Sequence, residues 1–181
     1  WQLPPRGARM TRLETSELNE RFLVSLGGLL IDADDVADAP LTLRAKPPLP
    51  PRIRAYLFNA TDPPGGRPTA EYKVQLRIRG QGHRERAALD FSGGYAVLVA
   101  GYSADIEAFM LWDATSHEEF GFSANLQIRA DTVERALRTG GDVSQLRRSG
   151  EVALAAPSDQ LIAAINCSVS DGRPGTSTSE T

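Results

Sequence analysis

A strict alternation of polar and apolar residues between Glu71 and Arg79 is the feature that most restricts the fold of this chain. Successive side chains of a β-strand face opposite sides, so the segment predicts a strand with one apolar and one polar face. The apolar face carries Tyr72, Val74, Leu76 and Ile78. The polar face carries Glu71, Lys73, Gln75, Arg77 and Arg79. Exposed charges add little to stability, so this polar row is a candidate working surface rather than a requirement of the fold.

Apolar segments separated by glycine- and proline-rich turns fill the middle of the chain and predict further strands. Apolar residues at helical spacing predict a helix before them, from a cap at Thr15 or Ser16 through Leu29, and a closing helix from Ser158 through Ile165. A further helix is predicted over 132–138. The predicted fold is α+β, with a mainly antiparallel central sheet and flanking N- and C-terminal helices. The predicted strands are 41–45, 52–58, 71–79, 87–91, 95–102, 106–112, 120–128 and 151–155.

The chain of 181 residues is long enough for one domain with a substantial core. We predict a single α+β domain over residues 12–167. It is preceded by an N-terminal remnant or flexible segment, 1–11, and followed by a flexible tail or linker, 168–181. Cys167 is the only cysteine, which excludes a disulfide framework and a cysteine-based zinc site. Such cysteine usage is typical of the cytoplasm. No apolar run is long enough to predict a membrane span, so no membrane partner is expected.

Charge is unevenly distributed along the chain, although the net charge is only -3. Basic side chains dominate from residue 52 to 86, whereas residues 87–119 contain acidic side chains and no Lys or Arg. This asymmetry is compatible with a basic patch that meets the phosphates of DNA, and also with two ordinary solvated surfaces. The charged or titratable side chains that we predict to contact DNA are Arg52, Arg54, Arg67, Lys73, Arg77, Arg79, His83, Arg84 and Arg86.

Three amide side chains are candidates for reading bases. Gln75 lies on the polar face of the alternating strand, and Asn125 and Gln127 share one face of the predicted strand 120–128. An amide can form two hydrogen bonds with the edge of adenine in the major groove. Amides also satisfy buried backbone groups, so a purely structural role stays open.

Glu71 and Lys73 form a Glu-x-Lys pattern, and Asp62 lies upstream of them. This pattern resembles the PD-(D/E)xK nucleases, in which two acidic residues hold Mg²⁺ and a lysine helps to activate water beside the scissile phosphate. The resemblance implies a catalytic set of Asp62, Glu71 and Lys73 with Mg²⁺ as cofactor. The alternative is an ordinary amphipathic strand, and a DNA-binding role requires no cofactor and no metal site.

Three parts of the chain, 56–67 continuing to 71–75, 97–102, and 111–117 with 122–127, resemble the N-terminal region of bacterial restriction proteins. Many of those proteins end in an HNH nuclease domain. The resemblance spans about residues 52–128 and implies recognition of double-stranded DNA, including modified DNA, in phage defence. With two histidines and no HNH motif in this chain, the cutting domain would lie outside it. We therefore expect a binding domain rather than a catalytic one, with a homodimer as one possible assembly. A protein-interaction module is a third interpretation.

Overall fold

The computed structural model describes residues 11–61, 71–122 and 124–171. The helices are α1 (Thr15–Leu26), α2 (Ala130–Thr139) and α3 (Leu161–Asp171). The strands are β1 (Leu30–Ala33), β2 (Leu41–Ala45), β3 (Arg52–Asn59), β4 (Glu71–Leu76), β5 (Arg86–Ala88), β6 (Ala96–Ser103), β7 (Ala108–Trp112), β8 (Glu119–Gly121), β9 (Ala124–Arg129), β10 (Val143–Leu146) and β11 (Val152–Pro157).

Seven of these strands form a central sheet in the order β1-β2-β3-β6-β7-β11-β10. All neighbours in it are antiparallel except β3 and β6, which run parallel with Ile53 opposite Ala96 and Asn59 opposite Tyr102. The almost continuously apolar strands β6 and β7 occupy the middle, as expected for strands covered on both faces. The prediction of an α+β fold with a mainly antiparallel sheet and terminal helices is confirmed.

One face of the sheet is covered by α1 and α3. Leu18, Phe22 and Leu26 recur every four residues, so they lie on one side of α1 and pack into the core. The helix begins earlier than the predicted cap: Glu14 is its N-cap and forms a capping box with Glu17. The prediction that it runs through Leu29 was wrong, because Gly27 adopts a positive φ of 52° and ends the helix at Leu26.

The opposite face of the sheet is covered by α2 and by two small antiparallel ribbons, β4–β9 and β5–β8. The apolar side chains of the β4–β9 ribbon face inward and join the core, where Val74 packs against Gly101 of β6. The alternating strand was predicted to reach Arg79 but ends at Leu76, where its pairing with β9 stops at Ala124. The predicted strand 120–128 is two strands that belong to different ribbons. None of the helices in the described part of the chain is long and apolar enough to cross a membrane.

Candidate nucleic-acid interface

The outer face of the β4–β9 ribbon carries only polar side chains. The antiparallel register sets Glu71 opposite Arg129, Lys73 opposite Gln127, and Gln75 opposite Asn125. Directly opposed residues point to the same side of a ribbon, so these six side chains form one surface. Their neighbours Tyr72, Val74, Leu76, Leu126 and Ile128 are buried beneath it. The fold thus brings together two pairs that were predicted on separate strands, Lys73 with Gln75 and Asn125 with Gln127.

Gln127 connects the charged side chains at one end of this face. Oriented to match its neighbours, its amide donates to Glu71 Oε2 and accepts from Lys73 Nζ, each at 3.2 Å. The Gln127 backbone carbonyl accepts a hydrogen bond from the Trp112 indole at 3.3 Å, which fixes the strand against the sheet. Gln75 and Asn125 are exposed. The face therefore has an ordered half around Gln127 and an accessible half around Gln75.

At the open end of the ribbon, an aromatic ring supports a cation. The guanidinium carbon of Arg77 lies 4.7 Å from the centre of the Phe122 ring. The His83 ring packs on the same side chain, with the ring centres 4.3 Å apart. A cation held over an aromatic face loses less conformational freedom when it binds an anion. Arg77 and His83 were predicted contacts, whereas the role of Phe122 as their support was not predicted.

A buried glutamine fixes the turn that leads away from this end. Gln81 accepts a hydrogen bond from the Ile78 backbone at 3.3 Å and donates to the Glu85 carbonyl at 3.0 Å. Arg79 and Arg84 project from this turn and are exposed. The predicted DNA contacts Arg77, Arg79, His83 and Arg84 thus all lie within one short segment that follows β4.

Arg52 and Arg54 lie apart from the ribbon and are engaged within the protein. Both guanidinium carbons lie over the Tyr95 ring, 4.2 Å and 4.4 Å from its centre. Arg54 is buried, donates to the carbonyls of Asp90 and Ser92, and pairs with the Asp90 carboxylate at 3.0 Å. Hydrogen bonds from Ser92, assisted by the charge of Arg54, lower the pKa of Asp90 below its usual value. Arg52 remains exposed, although it donates to the Gly93 carbonyl at 2.7 Å.

The remaining predicted residues are Arg86, Arg67 and the catalytic set of the nuclease interpretation. Arg86 lies on β5 in an exposed pair with Glu119 at 3.8 Å. Asp62 and Arg67 lie outside the residues that the structure describes. Glu71 and Lys73 share the outer face of the ribbon with Gln127 between them. Within residues 11–61, 71–122 and 124–171, no group of three or more His, Cys, Asp or Glu side chains is arranged to hold a metal ion.

Arg129 belongs to this face but was missed from the sequence. It lies opposite Glu71 and also pairs with Asp131, whose pKa is lowered mainly by that hydrogen bond. The signal was present, because Arg129 continues the two-residue spacing of Asn125 and Gln127. The predicted strand ended one residue too early to include it.

The model of one protein family, described as methylase-associated X1, matches residues 51–165 and thus more than half of the chain. The chain belongs to the methylase-associated X1 family. The match includes the whole β4–β9 ribbon, the centre of the sheet and α2, whereas α1 precedes it. Methylases are the modifying partners in restriction–modification systems, and the X1 family is associated with that context. No curated protein and no solved structure shows a significant match to the chain.

Proposed function

We propose that this X1 domain binds duplex DNA through the outer face of the β4–β9 ribbon and gives sequence specificity to a restriction–modification system. The observation that carries the proposal is the strand register, which sets Gln75 beside Asn125 and Lys73 beside Gln127. Three amides and a lysine on one accessible face are a suitable set for reading base edges and touching the backbone. The methylase-associated family supports the biological context.

The dimensions of the ribbon fit a DNA groove. Strands of six residues are about 20 Å long, and the major groove, about 12 Å wide, admits a two-stranded ribbon. In this arrangement Gln75 and Asn125 meet base edges, since they are the exposed amides of the face. Gln127 reads a base by exchanging its contacts with Glu71 and Lys73 for contacts with DNA. Lys73 and Arg129 then face the sugar–phosphate backbone.

The arginines that follow β4 supply the electrostatic part of binding. Arg77, on its aromatic support, and the exposed Arg84 lie beyond the open end of the ribbon, where the DNA backbone would leave the groove, and His83 packs on the same aromatic ring as Arg77. Each phosphate contact of this kind releases counterions and makes affinity depend on salt. Arg54 is excluded from this role because it is buried against Asp90, and Arg52 is held over Tyr95 by its hydrogen bond to the Gly93 carbonyl.

In this proposal the chain binds and a separate domain cuts, consistent with the resemblance to HNH-type restriction proteins. Recognition of modified DNA is part of the proposal, because a modified base changes the groups that amides meet in the major groove. The same reasoning makes comparison of methylated and unmethylated duplexes the natural first screen.

Fluorescence anisotropy with labelled duplexes tests the proposal. A preferred duplex is first selected from a random library, methylated and unmethylated, and its affinity is then measured at increasing salt. We expect Gln127→Ala to weaken binding to that duplex by roughly 5- to 150-fold and to reduce sequence discrimination, corresponding to about 1–3 kcal/mol for one amide–base contact. We expect Arg84→Ala to weaken binding to all sequences and to lower the salt slope by about one.

Arg21→Ala is the matched control, because Arg21 is an exposed arginine on α1, on the opposite face of the sheet. It should leave affinity unchanged. Absence of duplex binding at low salt, or an equal loss in Arg21→Ala and Arg84→Ala, contradicts the proposal. Cleavage of plasmid DNA with Mg²⁺ that disappears in Glu71→Ala would instead support the nuclease interpretation.

A further inference from the structure

A cleft of about 510 Å³ lies beside the ribbon. Its floor is the end of β3, residues 55–59, and one wall is the segment from Gln75 to Gly80. The other wall is the start of the chain's described part, residues 12–19, together with the beginning of β2. The volume falls within the range of about 300–1,000 Å³ that is typical of small-molecule sites.

The cleft lies where, within the described residues, the backbone pairing between the end of β3 and β4 is limited to one bridge. Thr61 exchanges two backbone hydrogen bonds with Lys73, each 2.8 Å long. Beyond this bridge the segment after β4 diverges from β3, while β2 covers β3 only as far as the pair Leu41–Ala55. The last residues of β3 are therefore paired with β6 along one edge and open to the groove along the other.

Three arginines line this cleft: Arg12, Arg77 and Arg79. Arg77 and Arg79 are exposed and flank Ile78, whose side chain packs against the core. Within the described residues, none of the three arginines has a carboxylate within salt-bridge distance. One acidic residue, Glu14, also lines the cleft, and its side chain already caps α1. The lining therefore favours an anion.

The segment that carries Arg12 is fixed on both sides. The Asn59 side chain accepts from the Leu13 amide and donates to the Leu13 carbonyl, both at 2.9 Å. The Thr11 amide donates to the Asp105 carboxylate at 3.1 Å. Arg12 lies between these two anchors, opposite Arg77 and Arg79. The backbone that presents Arg12 is thus in place before any ligand arrives.

Gln75 belongs both to the cleft and to the outer face of the ribbon. We infer that the cleft binds one nucleotide unit, with its phosphate held by Arg12, Arg77 and Arg79 and its base within reach of Gln75. Guanidinium groups bind phosphate through paired hydrogen bonds, and a polar cleft of this volume accommodates a base and a sugar as well. The nucleotide can come from two sources with the same chemistry: DNA bound on the ribbon, or a free nucleotide in solution. For the first source the inference rests on the proposed function.

Two measurements test the inference. In the first, the four deoxynucleoside 5′-monophosphates and inorganic phosphate are titrated calorimetrically into the protein. In the second, the fluorescence of 2-aminopurine in a duplex reports whether a base leaves the stack on binding. Both are repeated with the double variant Arg12→Ala/Arg79→Ala, in which both residues are exposed so that folding should be retained, as circular dichroism would verify. Arg138→Ala, an exposed arginine on α2 outside the cleft, is the control.

We expect at least one mononucleotide to bind at least tenfold more tightly than phosphate, and the double variant to lose at least tenfold while Arg138→Ala does not. A 2-aminopurine signal that requires Arg12 and Arg79 identifies duplex DNA as the source; mononucleotide binding without that signal identifies a free nucleotide. If neither measurement responds to the double variant, the inference is wrong. Anisotropy titrations of the duplex in the same samples test the proposed function separately. Gln127→Ala should weaken the binding of duplex DNA and leave mononucleotide binding unchanged, because Gln127 does not line the cleft.

Discussion

Gly101 is the residue on which the position of the ribbon depends most directly. A Cβ atom added there would overlap Val74 Cγ1 and would lie 3.2 Å from Ala60 Cβ and 3.4 Å from Trp112 Cζ3. Valine has no flexible end that could move aside, so Gly101→Ala must displace β4 from the sheet or distort β6. Overpacking of this kind costs about 1–3 kcal/mol, a large part of the roughly 5–15 kcal/mol that stabilises a typical domain.

Thermal and urea denaturation measure this effect. For a chain of this length, each kcal/mol shifts Tm by about 2–4 °C, so we expect Gly101→Ala to melt about 2–12 °C below the wild type. Gly28→Ala is the matched control, because Gly28 has no atom within 4 Å of an added Cβ and no positive φ. Its Tm should change little.

A double variant tests whether contact with Val74 causes the loss of stability in Gly101→Ala. Val74→Ala alone should cost about 2 kcal/mol, because it removes two buried methyl groups. In Gly101→Ala/Val74→Ala the new methyl group occupies part of the space that valine leaves, so the combined loss should fall short of the sum by about 1 kcal/mol. Strict additivity, or a Gly101→Ala protein as stable as the wild type, would refute the packing of the ribbon on β6.

Three further predictions concern single side chains. Arg54→Ala should lower stability by about 2–3 kcal/mol, because it removes a buried guanidinium and its charge-assisted hydrogen bonds to the Asp90 and Ser92 carbonyls, and it should leave the salt slope of DNA binding unchanged in anisotropy titrations. Glu151→Ala should cost about 3 kcal/mol in urea denaturation, since its buried carboxylate binds a histidine and an arginine, whereas exposed Arg148→Ala should be within about 0.5 kcal/mol of the wild type. The hydrogen bond from Arg44 holds the pKa of Asp32 below 3.8, so Arg44→Ala should raise it in an NMR titration. A carboxyl pKa that is lower in the folded state than in the unfolded state stabilises the fold in full above the unfolded pKa, and this contribution is lost as pH falls toward the folded pKa. The difference in the free energy of unfolding between the wild type and Arg44→Ala should therefore shrink as pH falls below 3.8. A difference that stays constant over this pH range would contradict the assignment.

Periodicity predicted the elements that have one clear face. The alternation from Tyr72 to Leu76 identified the buried side of β4, and the four-residue spacing of Leu18 and Phe22 identified α1. Boundaries were less well predicted, because they depend on partners elsewhere in the chain. The strand leaving Glu71 ends at Leu76 since its partner β9 begins at Ala124, and nothing in the local alternation marks that point.

The candidate site was predicted only in part, because its assembly also depends on partners elsewhere in the chain. The sequence placed Gln75 and Gln127 on polar strand faces, but only the β4–β9 register brings them to one surface. Arg54 was predicted to contact phosphate because it is an arginine in a basic segment, yet in the fold it is buried against Tyr95 and Asp90. Sequence alone cannot separate an arginine that holds a turn from one that is free to bind, because both lie on the same face of a strand. β10 was missed because its alternation over Val143–Leu146 is too short to stand out.

The most direct test of the account is to map where DNA touches the protein. A photo-crosslinking amino acid is incorporated in place of Asn125 on the outer face of the ribbon, or in place of Arg21 on α1, and each protein is irradiated with the preferred duplex. We predict crosslinks to bases from position 125 and none from position 21. Crosslinks from position 21 with none from position 125 would show that DNA binds elsewhere and would contradict the assignment of the ribbon.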